Sequence, residues 1–176
     1  HPAYGSADAP YPNFRLPESN IRFDARKDMT GWQTTECPET LGFSNALVLG
    51  TWGEAPYNKL IKRPIPQWKD FGIRSFESMR RLKEQQDTLI ALLPYNLQMT
   101  PILEITDPVG GNCIGIYTDN TYAAGDINLR AEYITRRGRQ SYESLGWLNG
   151  HEVYFILPKG IEVNGLKYRE TGYNTE

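Results

Sequence analysis

The stretch INLRAEYITRRGRQSYESLGWLNGHEVYFILPKGIEVNGLKYRETG, residues 127–172, decides the fold class. Apolar and polar residues alternate over residues 127–135, apart from Ile134, and Val153, Phe155 and Leu157 fall on one face of an extended segment in the same way. This period of two is typical of a half-buried β-strand. Asn164-Gly165 stands between two further alternating segments, and Asn-Gly in that position is a strong signal for a tight hairpin turn. The stretch therefore predicts antiparallel strands joined by hairpins.

The rest of the chain adds short apolar segments separated by turn signals. Strands are predicted at residues 21–23, 46–49, 102–105 and 113–117. Trp32 and Trp52 lie near the ends of the first two, where we expect their rings to close the core. Several short strands between turns are typical of a sandwich or a barrel. We predict an all-β fold, an antiparallel, jelly-roll-like β-sandwich with an irregular proline-rich N-terminal segment.

Residues 75–86 fit two secondary structures. Apolar residues recur at every third position, and Ser75 is a possible helix N-cap. However, residues 88–93 follow immediately as an apolar run that is typical of a strand. Because the surrounding segments all predict strands, we favour a hairpin over a helix here.

Proline content suggests how the chain is divided. Residues 1–20 are rich in proline and show no period, which predicts an extended arm. Residues 56–72 contain three prolines, and the residue before each proline is biased toward extended geometry, so this part should be a stiff linker. We expect residues 1–75 to hold the arm, short strands and linker, and residues 76–176 to form the sandwich.

Composition and charge restrict the classes of partner. A chain of 176 residues can bury a substantial core. The net charge of −2 and the pI of about 5.8 argue against a nucleic-acid partner, which calls for a basic surface. The basic groups at residues 80–83 and 136–139 are interpreted as solvated turns. No apolar run approaches the ~20 residues of a membrane-spanning helix.

Metal ligands and cysteines are few. Cys37 and Cys113 have no metal-site spacing, and we expect two buried thiols, with a disulfide left open. Asp119, Asn120 and Asp126 flank one loop that has the oxygen ligands calcium prefers, although solvated turn residues explain them as well. We predict no metal site and no cofactor.

Catalytic patterns are weak. His151 is the only internal histidine, and Glu152 beside it would point to the opposite face of a strand. We therefore interpret His151 as structural rather than as part of a nucleophilic triad. A glycosidase needs two carboxyl groups about 5–10 Å apart. Candidates for such a pair are Asp119, Asp126, Glu132, Glu143, Glu152, Glu162 and Glu170.

Residues 142–151 have the composition of a sugar-binding loop. Sugar C–H faces stack on aromatic rings, while planar amides and carboxylates bind the hydroxyl groups. The candidate binding residues are Tyr142, Glu143, Trp147, Asn149 and His151. The alternative is that Trp147 closes the end of the sandwich core or packs against another domain.

Two segments carry a family resemblance. The run NLRAEYITRRGRQSYESLGWLNGHEVYFILPKGIEVNGLKYRETGYNTE, residues 128–176, resembles a β-sandwich segment that precedes the catalytic barrel in bacterial α-L-rhamnosidases of glycoside hydrolase family 78. It is similar to the large multidomain forms of gut Bacteroidetes. DARKDMTGWQ, residues 24–33, and NALVLGTWGEAPYNKLIKRPIPQWKDFG, residues 45–72, resemble the tail and linker of a neighbouring sandwich.

The resemblance implies an accessory role. The family's catalytic acid and base lie in an (α/α)6 barrel that no part of this chain resembles. The chain is therefore expected to be an excised, non-catalytic piece, inactive by itself, of an enzyme that hydrolyses terminal α-L-rhamnose. Its expected partner is the barrel of the same polypeptide, in the periplasm or outside the cell. The alternative is a module that binds rhamnose-containing glycans through the aromatic loop.

Overall fold

The computed structural model describes residues 3–6, 21–29, 31–32, 34, 43–82, 87–120 and 130–173. These residues form ten strands and a single 3-10 turn, Ala25–Lys27. The strands are β1 (Tyr4–Ser6), β2 (Ile21–Asp24), β3 (Lys69–Arg74), β4 (Ser78–Leu82), β5 (Asp87–Asp107), β6 (Cys113–Thr118), β7 (Arg130–Ile134), β8 (Gly138–Glu143), β9 (Leu148–Leu157) and β10 (Glu162–Gly172). The predicted all-β fold is confirmed.

The long strand β5 belongs to both layers of the sandwich. Its residues 88–92 pair with β4, residues 87–92 and 97–99 pair with β9, and residues 99–107 pair with β10 and β8. The ten strands form one continuous sheet in the order β1-β2-β7-β6-β9-β5-β10-β3, with β4 and β8 also paired to β5. Folding of this sheet along β5 places β1, β2, β7, β6, β9 and β4 in one layer and β8, β10 and β3 in the other. Strands β1, β2 and β3 precede residue 76, so the sandwich draws on both parts of the chain.

The register shows that β5 must fold over. Leu157, at the end of β9, pairs with Asp87, and Glu162, at the start of β10, pairs with Thr106. Five residues of chain span at most about 18 Å. A straight strand between Asp87 and Thr106 would be about 60 Å long. The two ends of β5 are therefore held close together, one in each layer.

Pro94 marks an irregularity in β5. Pairing with β9 is interrupted between Leu92 and Leu97, and residues 94–96 between them are exposed. Proline has no N–H to donate to a sheet, so it is found at edges and bulges rather than in regular central ladders. Pro94 thus lies where the regular ladder of β5 with β9 is broken.

Aromatic rings connect the layers across the core. Tyr142 of β8 stacks on Tyr133 of β7 with ring centroids 4.5 Å apart, and on Phe23 of β2 at 5.0 Å. Phe76 lies 6.1 Å from Phe155 in one layer and 5.1 Å from Tyr168 in the other. Aromatic pairs of this kind contribute about 0.5–1.5 kcal/mol each beyond the burial of their surface.

The hairpin predicted at Asn164-Gly165 is wrong. Strand β10 continues through these residues because β5 pairs with it both before and after them. Asn164 forms a bulge between Val163 and Gly165. Its Oδ1 accepts a hydrogen bond from Thr106 Oγ1 at 2.8 Å. The turn lies earlier, at residues 158–161, where the N–H of residue 161 donates to the carbonyl of residue 158 and glycine 160 has a φ of 90°.

Other expectations have mixed outcomes. The hairpin preferred over a helix near residue 75 is confirmed, because β4 pairs with β5 in antiparallel register. The strand at 46–49 is wrong, since that segment is irregular and exposed, and Trp32 and Trp52 are exposed rather than in the core. The predicted antiparallel pairing has an exception, because strands β2 and β7 pair in parallel. Cys113 is exposed, not buried, at the first position of β6, and Cys37 lies outside the described residues.

Gln140 fixes the connection in which the chain crosses from β7 to β8. These strands lie in different layers and do not pair in the described part of the chain. The buried Gln140 amide nitrogen donates to the carbonyls of Arg136 and Gly138, at 2.6 and 2.8 Å. Its Oε1 accepts from the Arg136 N–H at 2.9 Å and from Tyr133 Oη at 3.0 Å. The Gln140 side chain thereby provides hydrogen-bond partners for backbone N–H and carbonyl groups that have no strand partner at this corner.

Asp107 fixes the neighbouring corner, at the end of β5. The carboxylate is fully buried. Burial alone would raise its pKa, but hydrogen bonds to the ionised form outweigh burial and lower the pKa to about 2. The donors are the N–H groups of Gly110 and Val109 and the side chains of Thr135, at 2.5 Å, and Asn112, at 2.9 Å. Thr135 follows β7, so this network ties the two layers together.

We expect Asp107→Asn to remove one part of the pH dependence of stability in the acid range, because Asp107 is one of several described carboxyl groups whose pKa is lowered. The folded-state pKa of about 2 lies below the ordinary 3.8, so the ionised carboxylate stabilises the fold above pH 4. This contribution is about 2.5 kcal/mol, and it is lost as the pH falls from 4 to 2. Urea unfolding at pH 7, 4, 3 and 2 should show the wild-type advantage shrinking. Glu162→Gln, at an exposed carboxyl, is the control, and an advantage that stays constant down to pH 2 would contradict the assignment.

Gly110 in the same corner should tolerate no side chain. Its φ is 84°, and a Cβ would lie 2.7 Å from the backbone nitrogen of Arg137. Gly110→Ala should therefore lower the free energy of unfolding by about 3 kcal/mol, through backbone strain plus the clash. Gly160 has a similar φ of 90° with nothing within 4 Å of a Cβ, so Gly160→Ala should cost only about 1 kcal/mol. Equal losses in urea unfolding would show that the clash has no effect.

Candidate functional site

Tyr142, one of the five predicted binding residues, belongs to the core. Its side chain is buried and stacks between Phe23 and Tyr133. Burial raises the pKa of its hydroxyl well above the ordinary value. The ring joins the layers and is not presented to a ligand.

Asn149 and His151 hold the start of β9 against a neighbouring loop through their backbones. Thr118 Oγ1 donates to the carbonyl of Asn149 at 2.7 Å. The N–H groups of His151 and Glu152 both donate to Asp119 Oδ1, at 2.7 and 3.0 Å. The His151 side chain is exposed, and the Asn149 side chain is half-buried.

Trp147 contacts Trp68, which in turn contacts Tyr173, and the sequence singled out neither of these two residues. The Trp147 ring packs edge-on against Trp68, with centroids 5.9 Å apart and an interplanar angle of 64°. Trp68 also packs edge-on against Tyr173, at 6.0 Å and 70°. Trp68 directly precedes β3 and Tyr173 directly follows β10, and these strands pair antiparallel. Trp68 and Tyr173 could have been recognised from the sequence only if the pairing of β3 with β10 had been predicted.

Arg169 ties together the three segments that carry these rings. Its guanidinium donates to both oxygens of Glu143, at 2.6 and 3.1 Å, and to Asp70 at 2.8 Å. Asp70 lies on β3, Arg169 on β10, and Glu143 at the end of β8, four residues before Trp147. The hydrogen bond from Arg169 is the main reason that the pKa of Glu143 is low. This predicted binding residue is thus held in an ion-pair network.

A cleft of about 640 Å³ opens beside Trp68. This is within the usual volume range of small-molecule sites. Its lining combines aromatic, apolar and polar side chains from the end of the linker and the end of β10. The lining residues are Arg63, Ile65, Pro66, Gln67, Trp68 and Tyr173.

Four of the seven candidate carboxyl groups, Glu132, Glu143, Glu152 and Glu170, are held by arginine side chains, whereas Glu162 is exposed. Glu132 pairs with Arg22 at 2.7 Å, and Glu170 pairs with Arg74 at 3.0 Å. Glu152 contacts Arg80 at 3.3 Å. A glycosidase acid must remain protonated near neutral pH, which needs a raised pKa. Instead, the shifted carboxyl pKa values in the described chain are lowered, at Asp24, Glu54, Asp70, Asp107 and Glu143.

Neither a metal centre nor a membrane-spanning helix is found among the described residues. No three His, Cys, Asp or Glu side chains there lie close enough to share an ion. Asp119 of the possible calcium loop accepts backbone hydrogen bonds instead, and Asp126 lies outside the described residues. No described helix is long and apolar enough to cross a bilayer.

Among the comparisons with known proteins, one solved structure shows the fold of this chain. No protein-family model and no curated protein matches the sequence. The solved structure of α-L-rhamnosidase from Dictyoglumus thermophilum matches 88% of this chain with a TM-score of 0.64 and 17% identity. A GH78 family rhamnosidase of Bacillus sp. GL1 matches 64% of it at 16% identity, with a TM-score of 0.44.

The matches cover only a small part of those larger proteins. This chain spans 18% of the Dictyoglumus enzyme and 12% of the Bacillus enzyme. At this level of identity the likeness establishes a shared fold. The chain therefore has the fold of a segment of a solved α-L-rhamnosidase, as the sequence resemblance predicted.

Proposed function

We propose that this chain is a non-catalytic β-sandwich domain of an α-L-rhamnosidase-type glycoside hydrolase. Its role is to support the catalytic barrel of the same polypeptide, which acts on terminal α-L-rhamnose outside the cytoplasm, in the periplasm or beyond the cell. The fold shared with a segment of the Dictyoglumus enzyme supports the assignment. The division at residue 75, with the preceding residues joining this sandwich to a neighbouring one, is part of the proposal.

Residues 43–68, which we name the linker segment, carry the proposal. Every residue of the segment is exposed. It includes large apolar side chains that rarely face water in such density, among them Leu47, Val48 and Ile61, with exposed fractions of 82%, 83% and 90%. Large exposed apolar surfaces mark places where another protein surface packs. A catalytic barrel in the same polypeptide would cover residues 47–61, the part of the segment that carries these side chains.

The state of the carboxyl groups supports a non-catalytic role. Glu143, Glu152 and Glu170 are engaged by arginine side chains, and Asp119 is engaged by backbone N–H groups. A retaining or inverting glycosidase needs one carboxylic acid and one free carboxylate facing the same sugar bond. The ion pairs instead connect strands to one another.

The linker segment should behave as an uncovered docking surface when the chain is isolated. Leu47→Ser with Ile61→Ser should reduce the fluorescence of a bound apolar dye by at least half, because two of the most exposed apolar side chains are removed. Urea unfolding should change by less than about 0.5 kcal/mol. Val109→Ser, at a side chain 76% exposed in the β5–β6 turn, is the matched control and should leave dye binding unchanged.

Two measurements and the length of the open reading frame test the proposal. The isolated chain should release no nitrophenol from an aryl α-L-rhamnoside, and turnover that persists after purification would contradict a non-catalytic role. In the natural polypeptide, the linker variants should lower the melting temperature of a neighbouring helical domain, whereas Val109→Ser should not. An open reading frame without a helical barrel after this sandwich would refute the supporting role.

A further inference from the structure

We propose that the cleft beside Trp68 is a binding site for one pyranose ring of a neutral glycan. Trp68 and Tyr173 provide the stacking surfaces, and Arg63 and Gln67 bind hydroxyl groups. The choice of L-rhamnose as the sugar rests on the proposed function, whereas the site itself rests on the geometry of the cleft. This site is distinct from the loop residues that the sequence favoured.

Two accessible rings form the corner of the cleft. Trp68 is 43% exposed and Tyr173 is 73% exposed, although both are large aromatic residues. Their planes meet at 70°, so a ligand in the corner touches two aromatic surfaces at once. A pyranose has apolar C–H faces that pack on such rings, and burial of those faces supplies the favourable free energy.

The rings are held in place before a ligand arrives. Trp147, itself half-buried, packs against Trp68 at 5.9 Å. Arg169 joins β3, β10 and the end of β8 through its ion pairs with Asp70 and Glu143. A site whose side chains are already ordered loses less conformational entropy on binding. Trp147 and Arg169 are therefore positioning residues.

The polar lining favours a neutral sugar over other ligands. Arg63 offers several N–H donors, and the Gln67 amide offers both donors and an acceptor, which is the combination that hydroxyl groups need. A purely apolar peptide would leave these groups without partners. A nucleic acid calls for a strongly basic surface, and this chain has a net charge of −2.

Isothermal titration of the full chain tests the site. The ligands are methyl α-L-rhamnopyranoside and a rhamnose-containing oligosaccharide, with methyl α-D-glucopyranoside and maltotriose in parallel. Trp68→Ala and Tyr173→Ala should each raise the Kd at least about tenfold, since each removes a stacking surface. Trp52→Ala and Tyr57→Ala are the matched controls. They remove aromatic residues that are 75% and 73% exposed in the linker segment but outside the cleft, and they should change the Kd less than twofold.

A second pair of variants separates positioning from contact. Arg169→Met should raise the Kd severalfold without touching the ligand, because the ring-bearing segments lose their common partner. Lys167→Met, at an exposed residue on the same strand, should leave the Kd unchanged. Far-ultraviolet circular dichroism confirms that each variant is folded.

The outcomes distinguish the site from the proposed function. No heat with any of the four sugars, or equal loss in cleft and control variants, would overturn the site. Binding of only the glucose series, lost in Trp68→Ala, would support the site and contradict the assignment to rhamnose. Binding of the rhamnose series that survives in both cleft variants would overturn the site while leaving the accessory role intact.

Discussion

The fold depends on one strand that serves both layers. The 21 residues of β5 supply partners for β4 before Pro94, for β9 on both sides of Pro94, and for β8 and β10 toward the end of the strand. Because the turn at residues 158–161 is short, β9 and β10 can be connected only if the two ends of β5 come together. The same strand thus runs through both layers. The side chains between the layers set their separation, and Phe76 contacts both layers.

Buried polar side chains stabilise the corners that this arrangement creates. A chain that crosses between layers leaves backbone N–H and carbonyl groups without a ladder partner, and burial of such groups without hydrogen bonds is costly. Gln140 serves the crossing from β7 to β8, and Asp107 serves the turn from β5 to β6. Asp107 also reaches Thr135, so the two corners are adjacent and support each other.

The two candidate interaction surfaces overlap at the end of the linker segment. Residues of its last part, 63–68, line the aromatic cleft together with Tyr173, whereas its most exposed apolar side chains lie earlier, at residues 47–61. The ion pairs of Arg169 hold the sandwich side of this overlap, and Trp147 packs against the Trp68 ring. A polypeptide that docks a catalytic domain along the linker segment would therefore place that domain beside the cleft, which would couple support of the barrel to contact with its glycan substrate.

Local sequence determined most of the strands after residue 76, because alternation with a period of two follows directly from the geometry of an extended chain. The all-β class and the β4–β5 hairpin were predictable in this way, but β1 and β3 were not, since they lie in residues with the composition of an arm and a linker. The pairing of strands was decided by the tertiary structure. Asn164-Gly165 has the local pattern of a hairpin, yet β5 offers partners along most of β10 and a bulge results. Trp147 was visible from its loop, but Trp68 becomes its neighbour, and Tyr173 the neighbour of Trp68, only in the fold that pairs β3 with β10, since contacts between residues far apart in sequence leave no local pattern.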